Sequence, residues 1–404
     1  MLDSAALADE ILPAAEALLS QSLRHTVKFV SAELLGGPRP RSHVWRCRWL
    51  DPVSGVAQSA ILKCARGFDA PKYDAEAARR LAREYASARL LNENLRMPLA
   101  PSVTGIDRAH GYILLEDLGA GGNLADALLG AHAGAADLFE RYADALAAQH
   151  AVTLGKQADF DALVARVRDP ADAAAPLSLA TEHTPTEWLC DDVPAFLAIN
   201  TALGLSNDRR MLEEARGIAA TLIRRPERHA FSSGDCCPDN HIVTATGDIC
   251  FIDFEKGCFR HPLLDLAYLH MPFPTCWCVN RLPDIAVTHA ETAYRARIVT
   301  VCPEFADDDV FCTELARCCA FWAIRSLFLR PDKGFDLPAV LIADAAWGRA
   351  SLRQRHVLRL QNAATLCART AHLSALGAAF QRLGELLAGR WGAAAGMPLY
   401  PAFR

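Results

Sequence analysis

Apolar residues recur at helical spacing from residue 2 to residue 22, with acids near the start, and predict an amphipathic N-terminal helix. The texture then turns β-like. Val27-Lys28-Phe29-Val30, Val44-Trp45-Arg46-Cys47-Arg48-Trp49, and Gln58 to Ala65 with its Ala60-Ile61-Leu62-Lys63 core predict three antiparallel strands, separated by turns at Gly36 and at Asp51 to Gly55. A long helix is expected from about Asp74 to Asn94. Two further strands, Ser102 to Ile106 and Tyr112-Ile113-Leu114-Leu115, complete a five-stranded sheet with one helix. Glu116 to Gly122 then breaks the pattern with three glycines. Beyond it, helices are expected at 123–129, 135–151, 158–169, 192–203, 207–224, 284–300, 308–329, 337–350 and 352–390. The fold class is therefore α+β. Residues 1–115 form a small mixed lobe with the N-terminal helix, 116–122 a hinge, and 123–404 a large helical lobe, with a ligand cleft expected between the lobes.

Two charged residues contradict the apolar pattern around them. Glu84 falls on the same helical face as Ala77, Leu81 and Ala88, and Lys63 sits in an apolar strand just before. A carboxylate on a buried stripe is costly without a cation beside it, so the simplest arrangement pairs Lys63 with Glu84. The other reading is a lysine whose stem snorkels and a glutamate at a helix edge.

A second unusual stretch is SGDCCPDNHIVTATGDICFIDFE, from Ser233 to Glu255. Gly and Pro make Ser233 to Asn240 a turn, while His241-Ile242-Val243 and Ile249-Cys250-Phe251-Ile252 read as strands of a hairpin around Ala245 to Asp248. The hairpin returns Asp253 towards Asn240, so an amide oxygen and a carboxylate are able to share a hard cation such as Mg²⁺. Taken singly, Asp235 and Asn240 are equally well ordinary turn residues.

Composition narrows the class of function. The net charge of −5 gives no electrostatic footprint for nucleic acid, and no apolar run is long enough to span a bilayer. Met1-Leu2-Asp3-Ser4 has no basic signal-peptide region, so the expectation is a soluble cytoplasmic protein with no membrane partner. The 14 cysteines show no zinc or disulfide spacing and are expected to be reduced core residues, including the dense group from Cys276 to Cys319.

The order Lys63, Glu84, YILLEDLG, SGDCCPDN, FIDFE and HPLLDLAYL resembles the aminoglycoside phosphotransferase and choline kinase family, over residues 26 to 275 and most specifically from Gly234 to Leu269. The resemblance implies a protein-kinase-like fold and an ATP- and Mg²⁺-dependent phosphotransferase, with GTP as an alternative nucleotide, acting on a hydroxyl of a small polar acceptor. It implies that Asp235 is the catalytic base and that Asn240 and Asp253 are metal ligands. Glu255 is implied as a further metal or supporting carboxylate. Lys63 would meet the phosphates with Glu84 aiming it, and the backbone of Glu116, Asp117 and Leu118 would meet the adenine. Asp265 would brace the catalytic loop.

Three departures from the family pattern stand out. Ser233 replaces the usual His before Gly-Asp. The loop GGPRPRSHVW lacks a GxGxxG pattern and loses two N–H donors at Pro38 and Pro40, leaving Ser42, Arg39 and Arg41 to meet phosphate unless the arginines are simply solvated. Cys236 and Cys237 follow Asp235, where a protein kinase carries a lysine two residues on, and no activation segment follows FIDFE; both points favour a small-molecule acceptor. An acidic group, Glu182, Glu187, Asp191 and Asp192, either holds an amine-bearing acceptor or is a solvated face. Trp188, Phe273, Trp277 and Tyr294 either line the acceptor pocket or belong to the core. The competing functional reading is a pseudokinase that binds nucleotide or acts as a scaffold without turnover.

Overall fold

The computed structural model describes residues 4–36, 42–66, 73–119, 121–130, 134–168, 184–330 and 333–404. The chain divides into two compact units that are not contiguous in sequence. The first comprises Met1–Gly121, Gln157–Leu179 and Cys250–Cys258; the second comprises Gly122–Lys156, Ala180–Ile249 and Phe259–Arg404.

The first unit is built on a five-stranded antiparallel sheet. Its strands are β1 (Ser31–Leu35), β2 (His43–Leu50), β3 (Ala57–Cys64), β4 (Val103–Asp107) and β5 (Tyr112–Glu116), in the order β1-β2-β3-β5-β4. Helix α1 (Ser4–Leu23) lays Leu7, Ile11, Ala15 and Leu19 on one face, against Trp45, Cys47, Leu62, Cys64, Tyr112 and Leu114. Helix α2 (Ala75–Arg89) covers the other face with Ala77 and Leu81 against Ile113 and Leu115. β5 is thus buried on both sides, which is why it reads as an unbroken apolar run rather than an alternating one. Asp74 caps α2 by accepting from the Ala77 N–H, and the helix runs on through a π turn at Leu90–Asn94.

The first strand is displaced from its predicted place. Residues 27 to 29 are committed to α1 instead, with the Val27 N–H on Ser20 Oγ at 2.8 Å and the Phe29 N–H on Glu16 Oε1 at 2.8 Å. The ladder begins only at Ser31, opposite Arg48.

The second unit is mainly helical. The predicted helix at 337–350 is cut short at Leu337–Ile342, because a small hairpin pairs Ala346–Trp347 with Ala350–Ser351. Gly348 turns that hairpin at φ +66°, where any Cβ would lie 2.0 Å from the Trp277 carbonyl oxygen. The predicted 352–390 helix is two helices, Leu352–Cys367 and Ser374–Trp391. Sequence patterning also missed the short strands Ala230–Ser232 and Cys258–Arg260 and the helix Leu263–His270. Among the described residues no helix is long and apolar enough to cross a membrane.

The cysteine expectation requires a correction. Cys237 and Cys276 are joined by a disulfide across 39 residues, while the other twelve cysteines take part in no disulfide. The pair has no local spacing signature, because the fold alone brings the two positions together.

Candidate active site

In the first unit, strand alternation sends Leu62 and Cys64 towards α1 and therefore Lys63 towards α2. There its Nζ lies 2.8 Å from Glu84 Oε2 and 2.5 Å from Asp253 Oδ1. Glu84 is 3% exposed, so the two charges that broke the apolar pattern resolve each other as a buried pair. Burial by itself would lower the lysine, but the charges of Asp253 and Glu84 outweigh it and hold the ammonium protonated well above its ordinary range. Burial also pushes the Glu84 carboxyl upward, against the pull of Lys63. Asp253 adopts φ +63°, a left-handed conformation that Asp tolerates better than most residues. Glu255 is buried, with Arg80 Nε 3.9 Å away.

The end of β5 modifies the predicted adenine contacts. The Glu116 N–H is taken by the Ser102 carbonyl at 2.9 Å, so that donor is removed from the candidate set. Arg46 grips the Asp117 carboxylate through Nε at 2.8 Å and an NH₂ group at 3.1 Å, fixing the chain just before Leu118. Ser42 stands immediately before β2. Arg39 and Arg41 lie outside the described residues.

In the second unit, Gly234 takes φ +75° and donates its N–H to Ser232 Oγ at 3.0 Å. Ser232 in turn donates to Asp265 Oδ1 at 3.0 Å. Asp265 is fully buried and also accepts from Arg260 Nε at 2.9 Å, with His150 Nε2 3.1 Å from its other oxygen. Burial would raise this carboxyl; Arg260 and His150 overcome it and hold the group well below the usual carboxylate range. Asp265 is therefore a fixed anion on which the turn before Asp235 hangs. Ser233 is buried with its Oγ 3.7 Å from Cys236 Sγ, and the hydroxyl that reaches the brace is that of Ser232.

Asp235 is half-buried and accepts from Thr275 Oγ1 at 2.8 Å on Oδ1. Cys237 Sγ lies 2.9 Å from the same oxygen. Asn240, five residues on, donates its Nδ2 to the Asp235 carbonyl at 3.1 Å. That bond commits the amide nitrogen and turns the amide oxygen away as a hard donor, the atom type that Mg²⁺ requires.

The predicted acceptor residues separate by environment. Asp192 is buried and carries an ion pair with Arg325 at 3.0 Å, which makes it part of the packing. Glu187 closes a capping box with Thr184, and Asp191 is exposed. Glu182 lies outside the described residues. Trp188, Phe273 and Tyr294 are fully buried core residues, whereas Trp277 is 42% exposed and donates its indole N–H to Asp239 Oδ2 at 2.7 Å, beside the loop of Asp235. Sequence reading missed Ser232, only three residues before Asp235, and Thr275, Arg260 and His150, which lie far from Asp235 in the chain. It also missed Arg355 and Arg359, whose i,i+4 placement on the apolar side of a helix was a usable signal.

A family model described as "Phosphotransferase enzyme family" matches residues 56–297. The fold is similar to that of a choline kinase, LicA, from Streptococcus pneumoniae, at 13% identity, 89% coverage of this chain, 99% of that chain and a TM-score of 0.41. It is also similar to a macrolide 2'-phosphotransferase, MphH, from Brachybacterium faecium, at 16% identity, with 87% and 98% coverage and a TM-score of 0.42. An ethanolamine kinase of Plasmodium vivax gives 12% identity, 84% and 83% coverage and a TM-score of 0.46. No curated protein matches the chain.

Proposed function

The chain belongs to the phosphotransferase enzyme family, and from that premise we propose that it is an ATP- and Mg²⁺-dependent kinase, with GTP as a possible second nucleotide, phosphorylating a hydroxyl of a small polar molecule. The acceptor class is an aminoglycoside-like compound, an amino alcohol or a sugar. The observation that carries this reading is the bond from Asn240 Nδ2 to the Asp235 carbonyl, which ties a candidate base and a candidate metal ligand into one short loop.

Asp235 orients the acceptor hydroxyl and takes its proton on a carboxylate oxygen. Thr275 holds that carboxylate, and the brace through Ser232 to Asp265 holds its backbone. Asn240 and Asp253 are the proposed oxygen donors to Mg²⁺, with Glu255 as a supporting carboxylate. Lys63, aimed by Glu84, pairs with the nucleotide phosphates. The main chain of Asp117 and Leu118 and the Glu116 carbonyl face the adenine, and Ser42 lies at the phosphates. When bound, Mg-nucleotide supplies the phosphoryl group with its charge neutralised. Trp277 and the exposed acids Glu187 and Asp191 are the proposed acceptor contacts. Residues 1–115, 116–122 and 123–404 act respectively as nucleotide lobe, hinge and catalytic lobe.

A screen of aminoglycosides, amino alcohols and sugars with ATP and GTP identifies the acceptor. Asp235→Ala is then expected to lower turnover by about 10²- to 10⁴-fold while nucleotide binding persists. Undiminished turnover in that variant sinks the assignment.

A further inference from the structure

The disulfide between Cys237 and Cys276 closes beside Asp235, with a Cα separation of 5.4 Å. We propose that this pair is a reversible thiol–disulfide site that clamps the loop carrying Asp235; its effect on turnover rests on Asp235 acting as the base.

The clamp has an anchored side and a catalytic side. On the anchored side, Arg359 Nε donates to the Met271 carbonyl at 3.1 Å and an NH₂ group reaches the Pro274 carbonyl at 3.3 Å. Arg355 donates to the Cys276 carbonyl at 2.7 Å. The backbone of Cys276 is therefore held by buried guanidinium groups whether or not its sulfur is bonded. On the catalytic side, Cys237 is two residues after Asp235 and its carbonyl accepts the Asn240 N–H at 2.9 Å. Closing the disulfide ties this loop to the segment held by those guanidinium groups and keeps Thr275, the neighbour of Cys276, in register with the Asp235 carboxylate.

Opening changes the base's surroundings as well as its tether. In the closed pair Cys237 has no proton to give. In the open pair its S–H becomes a second donor to Asp235 Oδ1, 2.9 Å away, competing with the acceptor hydroxyl. Closure breaks two S–H bonds and forms one S–S bond, and the two electrons and two protons pass to a low-molecular-weight disulfide that leaves as two thiols. Neighbouring cysteines do not substitute: Cys236 points to Ser233, and Cys278 is buried and free.

The test uses the full chain, treated with either dithiothreitol or oxidised glutathione, then alkylated and digested. Oxidised protein should yield a linked Cys237–Cys276 peptide, reduced protein two alkylated cysteines, and the change should reverse. Amide hydrogen exchange across residues 234–240 should quicken on reduction. Cys276→Ser should show the fast exchange under both conditions, and Cys278→Ser should respond as the unaltered chain does. Absence of the linked peptide, linkage through other cysteines, or equal exchange in both states overturns the proposal. With an acceptor in hand, reduction should lower turnover, by up to about 10²-fold, the scale of a displaced catalytic group; equal turnover in the two states overturns the catalytic effect. If linkage and exchange behave as expected but neither state transfers phosphate, the kinase reading fails and the clamp stands.

Discussion

Two regions of the molecule bury cations, and they compensate them by different means. In the first unit Lys63 is matched by two carboxylates, Glu84 and Asp253. In the second unit Arg355 and Arg359 are buried more deeply still, yet their hydrogen bonds run to main-chain carbonyls: Cys276 and Trp347 for Arg355, Met271, Pro272 and Pro274 for Arg359. Burial lowers Arg355 to about 10 and Arg359 in the same direction, whereas Lys63 is raised. An ammonium is a compact charge that a pair of anions stabilises; a guanidinium is a planar fork that is able to spread its protons over several weak dipoles. The first arrangement holds one ammonium group in place. The second holds a whole segment, 271–277, in place.

The sharpest way to break this comparison is Lys63→Met. It leaves Glu84 buried without its cation and should cost about 3–5 kcal/mol, measured by urea unfolding of the first unit's signals. A loss under about 1 kcal/mol would mean that the carboxylates relax into water and the pair is not structural. Arg359→Met is expected to cost less, about 1–3 kcal/mol, because carbonyls lose their donors but no charge is stranded. Arg359→Lys should recover little of it, since a point charge does not reach carbonyls spread along four residues. Full recovery would show that charge, and not the fork, is what the segment needs.

The smallest effect expected is in acid. Glu291 is gripped by Arg369 at 2.9 and 3.2 Å, with His270 Nε2 3.0 Å away. Burial would raise this carboxyl, but these two partners bring it down to about 2. A depressed carboxyl contributes stability that is present above its unfolded value, near 4.5, and lost as the pH falls through the folded value. Hydrogen exchange around residues 291 and 369 should therefore quicken between about pH 4.5 and 2. The carbonyl partners of Arg355 and Arg359 do not titrate, so exchange at 271–277 should lag behind. Simultaneous loosening of both regions would show that they unfold as one.

How much was legible follows from the kind of partner each residue has. Lys63 and Glu84 betrayed themselves because both are charged letters in apolar surroundings, and one explains the other. Asp265 was readable as a brace through the resemblance of HPLLDLAYL to the family, but its partners Arg260, His150 and Ser232 were not, since nothing in the local pattern marks them. The reading also failed where a side chain claims main-chain N–H groups. Residues 27 to 29 looked like a strand, yet Ser20 and Glu16 on α1 claim their N–H groups. The long helix expected over 352–390 has no proline to end it, and its break, where Thr370 Oγ1 accepts the His372 N–H, comes from local capping.

By itself the sequence determined the five-strand sheet with its helix, the helical remainder, and the family to which the Asp235, Asn240 and Asp253 constellation belongs. It could do so because periodicity and side-chain type are written residue by residue. Only the tertiary structure decided that Thr275 lies on Asp235, that Cys237 closes on Cys276, and that Arg355 and Arg359 hold the segment between. Those contacts span tens of residues and use a hydroxyl, sulfur and main-chain carbonyls, groups whose partners are chosen by proximity in space and leave no spacing in the chain.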